Sequence, residues 1–195
     1  MLLTPARACA RHGQFRSDRQ NMDLGMTDEN RSPLIASKAS PEPPEVEVVI
    51  EVPRGSFLKR GSNGHVDFIS PLPCPFNYGS VPSYLGLEDD LLDAVVLGPR
   101  LPLATRIRVK AWGAVTLTDR GMSDDKLICS SRPLGLSERR KVLRFFQFYA
   151  RCKGLLNVWR RRPGRNACEG WIGALEALAR ARPRDDTWKG PPVEF

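Results

Sequence analysis

Two clusters of acidic residues stand out in this basic chain, because closely spaced carboxylates are the ligands that a hard divalent cation requires. The first cluster is E-D-D-L-L-D, which contains Glu88, Asp90 and Asp93. The second is D-R-G-M-S-D-D-K, which contains Asp119 and Asp124. Each cluster adjoins a predicted strand. Solvated turns are the alternative for either cluster alone, because aspartate is common there. Two such clusters together favour an oxygen-ligand site for Mg²⁺.

Histidine and cysteine are too sparse to build a different metal site. The two histidines, His12 and His65, do not suffice for a histidine-based zinc site. The five cysteines form no C-x-x-C pair and lie far apart, so neither a zinc ribbon nor a disulfide framework fits. We therefore expect free thiols in a reducing compartment, the cytoplasm.

The net charge predicts an anionic partner. The 195 residues carry 30 Lys and Arg against 22 Asp and Glu, a net charge of +8. Residues 1–45 hold six of each sign, which leaves 24 basic and 16 acidic residues downstream. A phosphate compound, a nucleic acid or an acidic surface would each suit this excess. No apolar run approaches the roughly 18 residues of a membrane helix, so we expect no membrane span.

The composition changes after residue 45 and divides the chain. Residues 1–45 are rich in serine and proline and show no sustained period of 2 or 3.6, so we expect them to be disordered. A true start at Met22 or Met26 would instead make the upstream segment a misassigned extension. Residues 46–183 are predicted to form one folded domain, and residues 184–195 a C-terminal tail.

The elements that must position the acidic clusters follow from the residue pattern. Short segments rich in β-branched residues, separated by proline, glycine and aspartate, predict strands in a small barrel or sandwich. These segments are residues 46–52, 65–69, 93–97, 107–117 and 126–129. The period then becomes helical and predicts a helix over 137–153, capped by Ser137. A second helix is predicted over 166–182, capped by Asn166 with Glu169.

The order of several motifs resembles the soluble, family I inorganic pyrophosphatases over about residues 46–182. The motifs occur in the order found in that family: V-V-I-E-V-P, P-F-N-Y-G, E-D-D-L-L-D, T-D-R-G-M-S-D-D-K, F-F-Q-F-Y and E-G-W. The resemblance implies a mainly β fold, an OB-like closed five-stranded β barrel with helices packed outside. It also implies Mg²⁺-dependent hydrolysis of inorganic pyrophosphate to two phosphates by a homo-oligomer.

The resemblance further implies roles for ten residues of this sequence. The metal ligands would be Glu88, Asp93, Asp119, Asp124 and Glu51. The residues that would hold the phosphates are Lys59, Tyr78, Lys126 and Tyr149. Asp90 matches the general base of the family. In this scheme a metal-activated water gives its proton to Asp90 while cations neutralise the leaving phosphate.

Five positions depart from the family pattern. In the first cluster the family has D-x-D-P-x-D, whereas this chain has Glu88 for the first aspartate and Leu91 for the proline. The glutamate side chain is longer by one C–C bond, roughly 1.5 Å. Gly61 replaces a metal-binding glutamate, Phe68 stands near a phosphate-binding arginine, and Ala150 replaces a phosphate-binding lysine. We expect weaker metal binding and fewer cations around the substrate.

Two other functions stay open at this point. A degraded site could bind phosphorylated ligands or a partner protein without catalysis, and four of the departures, Glu88, Gly61, Phe68 and Ala150, favour that. An OB-like module could bind nucleic acid through the basic run at 159–165, where we expect a solvated loop because no periodic aromatic residues accompany it. Four retained aspartates favour the enzyme, an inorganic diphosphatase, because buried carboxylates repel one another without metal.

Overall fold

The computed structural model of the protein describes most of the chain after residue 41. The described residues are 42–60, 66–69, 72–159, 161 and 164–190. Outside them lie most of the extension that we expect to be disordered, the departure at Gly61, and His65. The side chains of Lys59 and Phe68 also lie outside the described part.

Within this part of the chain the fold is mainly β, as predicted. The strands are β1 (Glu45–Val52), β2 (Leu58–Arg60), β3 (Val66–Ile69), β4 (Asn77–Leu85), β5 (Leu91–Val96), β6 (Arg106–Asp119), β7 (Met122–Ser130), β8 (Ala167–Ile172) and β9 (Arg182–Pro183). The helices are α1 (Leu136–Trp159), between β7 and β8, and α2 (Ala174–Arg180), between β8 and β9.

Five of the strands form a closed ring. β1 pairs antiparallel with both β4 and β6, and β4 pairs antiparallel with β5. β5 then pairs in parallel with β7, and β7 pairs antiparallel with β6, which closes the ring. β8 adds to β6, β9 adds to β4, and β2 and β3 form a separate pair. The ring has the five strands that the predicted OB-like fold requires.

The strands bury apolar side chains on both of their faces. Because successive strand residues point to opposite faces, Ala94 and Val96 of β5 belong to one buried cluster and Val95 to another. The first cluster includes alternate residues of the ring strands and the inner face of α2. The second joins the opposite face of β5, β6 and β7 to Val142 and Phe146 of α1. The helices therefore pack against the strand ring, as predicted.

The first helix is longer than predicted and begins differently. It starts at Leu136 and continues to Trp159, six residues beyond the predicted end. The Glu138 carboxylate accepts a hydrogen bond from the Gly135 N–H at 3.1 Å, which is one half of a capping box. Gly135 therefore occupies the capping position before Leu136, and the prediction that Ser137 caps the helix is wrong.

The prediction of a second helix over 166–182 is wrong in its first half. Residues 167–172 form β8, and α2 is restricted to Ala174–Arg180. The 14-residue strand β6 offers backbone groups along its edge, and pairing with β8 satisfies them. Glu169 does not cap a helix but accepts a hydrogen bond from the Thr118 hydroxyl at 2.6 Å. The non-local pairing thus outweighed the local capping pattern.

The asparagine of P-F-N-Y-G has a structural role that the sequence analysis did not assign. The Asn77 side chain is fully buried, and its Oδ1 accepts hydrogen bonds from the N–H groups of Arg54 (3.0 Å) and Leu101 (2.9 Å). Its Nδ2 donates to the carbonyls of Val96 (3.2 Å) and Pro99 (2.8 Å). One side chain therefore holds the turn after β1 against the loop that follows β5.

Asn77→Ala is expected to lower the free energy of unfolding by about 3 kcal/mol, because it leaves buried backbone N–H and carbonyl groups without partners. Urea unfolding followed by tryptophan fluorescence measures the change. Ser83→Ala, at an exposed position of the same strand, is the control and should change stability by less than about 0.5 kcal/mol. A similarly small change in Asn77→Ala would show that other contacts hold these loops.

Candidate active site

Two of the predicted metal ligands are joined by a buried lysine. Asp93 of β5 and Lys126 of β7 are in register in the parallel strand pair, so their side chains lie on the same face. The Lys126 ammonium donates a hydrogen bond to Asp93 Oδ2 and hydrogen bonds to both Asp124 carboxylate oxygens at 2.8 Å. The Lys126 residue is only 4% exposed. The first and second acidic clusters of the sequence therefore meet at this lysine.

Strand alternation explains why one of two adjacent aspartates belongs to the site. Asp124 and Lys126 are two residues apart in β7 and share a face. Asp125 points to the opposite face, where its Oδ2 lies 3.6 Å from the Arg180 guanidinium of α2. The motif S-D-D-K thus contributes alternate residues to the site.

The β6–β7 hairpin brings the third aspartate to the same region. Its turn residues Arg120 and Gly121 have φ values of 51° and 94°, as a tight two-residue hairpin requires. Asp119, at the end of β6, has its Oδ2 2.7 Å from the Lys153 ammonium of α1. Its Oδ1 is buried and makes no hydrogen bond within the described residues, and the Arg120 Nε lies 4.0 Å away.

Glu88 faces this carboxylate cluster from the β4–β5 loop. Burial raises the pKa of Glu88, and the charges of Asp124 and Asp119 raise it further. The neighbouring Asp89 has a φ of 62° and turns away, with its Oδ1 2.9 Å from Arg182. The departure from aspartate at position 88 therefore lies within the electrostatic reach of Asp124 and Asp119.

The expected general base, Asp90, lies in the same loop and is exposed. Its Oδ1 accepts a hydrogen bond from the Leu91 N–H at 2.8 Å. The family pattern has proline at position 91, and proline has no N–H to donate. This chain therefore holds one oxygen of Asp90 by a backbone contact that the family pattern does not allow.

The remaining predicted residues lie on four other elements, β1, β2, β4 and α1. Tyr78 lies on β4 beside Lys126, and its pKa is raised well above the ordinary value by burial and then by the Asp93 charge, so its hydroxyl stays protonated. Tyr149 lies on α1 and is partly buried. Glu51 is buried in β1, whereas Lys59 is on β2 with its side chain outside the described residues. The roles of these four residues stay predictions.

The basic run at 159–165 contacts the β6–β7 hairpin at Arg165. Its described residues are exposed, including Trp159 at 80%, as expected of a solvated segment. The Gly121 N–H donates to the Arg165 carbonyl at 3.1 Å, and Arg165 forms an ion pair with Glu169 at 2.8 Å.

The sequence analysis did not identify Lys153 as a site residue. Lys153 follows Tyr149 by four residues on a predicted helix, and this spacing could have indicated that the two side chains share a face.

The residue types at the cluster fit a hard divalent cation. Glu88, Asp93, Asp119 and Asp124 offer carboxylate oxygens, the ligands that Mg²⁺ prefers. Asp119 also keeps a buried oxygen without a hydrogen bond in the described part of the chain. In the present side-chain arrangement, no three acidic, histidine or cysteine side chains of the described residues could hold one ion together. Lysine ammonium groups neutralise three of the carboxylates instead.

Comparison with known proteins assigns this chain to a family. The family model described as inorganic pyrophosphatase matches residues 48–159. The inorganic pyrophosphatase of Streptomyces coelicolor is 30% identical over 158 residues, which are 69% of this chain and 90% of that protein. That of Saccharolobus solfataricus is 28% identical over 162 residues, 72% of this chain and 90% of that protein. The chain belongs to the inorganic pyrophosphatase family.

Solved structures support the same fold. The inorganic pyrophosphatase of Thermus thermophilus has a TM-score of 0.59 at 24% identity, covering 75% of this chain and 91% of that one. The pyrophosphatase of Neisseria gonorrhoeae has a TM-score of 0.57 at 26% identity, covering 69% and 86%. The predicted family, the mainly β OB-like fold and the enzyme class, a diphosphatase among the hydrolases, are confirmed. Neither helix of the described residues combines the length and the apolar character that a membrane span needs.

Proposed function

We propose that this protein hydrolyses inorganic pyrophosphate to two phosphates and requires Mg²⁺ to do so. The observation that carries the proposal is the meeting of the two acidic clusters, with Asp93 and Asp124 on one buried lysine and Asp119 and Glu88 beside them. We infer the substrate, pyrophosphate, from relatives that are named inorganic pyrophosphatases. Pyrophosphate is a polyanion that binds together with divalent metal ions. The acidic residues would hold the metal ions, and the neighbouring cations would contact the phosphate groups.

The metal would be held by carboxylates of both clusters. Asp93, Asp119, Asp124 and Glu88 are the proposed ligands, and Glu51 is a further one from β1. When bound, Mg²⁺ would lower the pKa of a water and neutralise charge on the phosphates. The lysines that now neutralise the carboxylates would then be available for the substrate, because the acids would have gained another positive partner.

The protein's own groups supply proton transfer and orientation. Asp90 would take the proton of the attacking water, while its bond from the Leu91 N–H fixes the orientation of the carboxylate. Tyr78 stays protonated and so can donate a hydrogen bond to a phosphate oxygen. Lys126 supplies a cation where the leaving phosphate gains charge, together with Lys59 from β2. Tyr149 would contact the substrate from α1.

A phosphate-release assay on the purified chain tests the proposal. With pyrophosphate and Mg²⁺ we expect phosphate to be released, and with excess EDTA we expect none. Binding of pyrophosphate without release would favour the second candidate, a phosphate-binding protein with a weakened site, which the replacements Glu88 and Ala150 favour. Salt-sensitive binding to RNA or DNA without hydrolysis would favour the third.

The proposal also covers the cellular location and the oligomeric state of the protein. We propose a cytoplasmic location, which the free cysteines of the described residues support because thiols persist in reducing compartments. We also propose a homo-oligomer, on the basis of family resemblance. Light scattering on the purified chain would measure its molar mass and test the oligomer.

Glu88→Asp is expected to tighten Mg²⁺ binding several-fold and raise activity, because the shorter acid restores the ligand of the family pattern. The Mg²⁺ dependence of phosphate release measures both effects, and Asp89→Glu in the same exposed loop is the control. A different result is expected if the loop has moved to suit the longer side chain. The aspartate oxygen would then fall short by roughly 1.5 Å and activity would decrease.

A further inference from the structure

The face of α1 that meets the acidic cluster carries a cation that the family pattern does not place there. Ala150 stands where the pattern has a phosphate-binding lysine, and it is 6% exposed and uncharged. The adjacent Arg151 is exposed, about 100° around the helix. Lys153 follows Tyr149 by four residues, so both side chains lie on one face, and its Nζ is 5.8 Å from the Tyr149 ring centroid.

The Lys153 ammonium lies at the accessible edge of the cluster. Its Nζ is 2.7 Å from Asp119 Oδ2, and its charge also acts on Glu88 and Lys126. The Lys153 side chain is 32% exposed, whereas that of Lys126 is 5% exposed. An ammonium has three donors, so Lys153 can contact Asp119 and still bind a ligand oxygen arriving from solvent.

We propose that Lys153 binds a phosphate group of the substrate and supplies the cation that Ala150 lacks. This inference rests on the proposed function, because it names a contact for pyrophosphate in that site. Three helical residues displace a side chain by about 4.5 Å along the axis and about 60° around it. A long, flexible lysine can span that displacement, whereas Arg151 starts from the solvent side of the helix.

The alternative is that Lys153 is only a counter-ion for Asp119. Such a lysine would stabilise the fold and compete with metal at Asp119, but it would not contact substrate. The two roles differ in what loss of the charge does. Loss of a substrate contact weakens binding of the diphosphate, whereas loss of a counter-ion leaves that binding unchanged and strengthens Mg²⁺ binding.

The test compares Lys153→Met with Arg151→Met, which removes the same charge from the exposed side of the same helix. Calorimetry with methylenediphosphonate, a non-hydrolysable diphosphate, measures binding in saturating Mg²⁺, and steady-state assays measure KM and kcat for pyrophosphate. We expect Lys153→Met to raise both Kd and KM about tenfold, as for a lost charged hydrogen bond. Arg151→Met should match wild type, and Lys153→Arg should recover part of the affinity.

Unchanged Kd and KM in Lys153→Met, with tighter Mg²⁺ binding, would overturn the inference while leaving the proposed function intact. If wild type binds the diphosphonate and Lys153→Met weakens it, but neither releases phosphate, the proposed hydrolysis fails and the contact stands. A wild type that neither binds nor hydrolyses would overturn both. Should Lys153→Met lose its circular dichroism spectrum, Lys153→Gln replaces it under the same criteria.

Discussion

Asp124→Asn is expected to reduce Mg²⁺-dependent phosphate release from pyrophosphate by on the order of 1,000-fold in kcat/KM. The substitution keeps the shape of the side chain and removes its charge. Asp124 lies with Asp93 on either side of Lys126, so its carboxylate contributes to the one region where both acidic clusters meet. Coupled phosphate detection over a range of Mg²⁺ concentrations measures the loss.

Asp125→Asn is the matched control for this variant. It makes the same chemical change one residue further along the same strand, but Asp125 faces Arg180 of α2 on the opposite side of β7. We expect it to retain activity within about twofold of wild type, since it lies outside the proposed site. Full activity in Asp124→Asn, or an equal loss in both variants, would contradict the assignment of Asp124 as a metal ligand.

Lys126→Met is expected to lower the free energy of unfolding of the metal-free protein by about 3 kcal/mol, because it leaves buried carboxylates without their cation. Burial alone would lower the pKa of Lys126, but Asp93, Tyr78 and Asp124 together raise it well above its ordinary value. The pKa of Lys126 is therefore higher in the folded protein than in the unfolded chain. The charge of Lys126 contributes its full stabilisation at pH values below the pKa of the unfolded chain, and this contribution is lost as the pH rises through the pKa of the folded protein. The loss of stability should therefore be constant from neutral to mildly alkaline pH.

Added Mg²⁺ should raise the Tm of Lys126→Met more than that of wild type, because the ion supplies the positive charge that the variant lacks. Urea unfolding and thermal melts, each with and without Mg²⁺, measure the two effects. Lys110→Met is the control, since its ion pair with Glu42 is largely exposed, and such pairs contribute about 1 kcal/mol or less. A loss in Lys126→Met no larger than in this control would show that the buried lysine does not hold the two strands together.

The sequence by itself determined the features that depend on local pattern. The β-branched segment at 46–52 became β1, and the long segment at 107–117 became β6 with one residue added at its start and two at its end. The segment predicted as a strand at 126–129 became part of β7, which begins four residues earlier and so includes Asp124. The order of the motifs was enough to identify the family, since it does not depend on the geometry of any one of them.

Only the tertiary structure decided the features that depend on pairing between distant segments. β4 was not predicted from the sequence, because Gly79 and Pro82 interrupt the strand pattern there, yet it joins β1 to β5. The local sequence pattern predicted a helix at residues 167–172, but in the structure these residues pair with the edge of β6 as a strand. Backbone hydrogen bonds of a strand are satisfied by another strand, and the identity of that partner is not written in the local sequence.

The composition of the site shows the same division. The acidic residues were visible as clusters, but their meeting at Lys126 required the parallel pairing of β5 with β7. Lys153 reaches Asp119 because α1 packs across β6 and β8, a contact that no helical period predicts. The sequence therefore determined which chemical groups were available, because residue type and period are local properties. The fold decided which of them touch, because closing the ring brings together residues far apart in the chain.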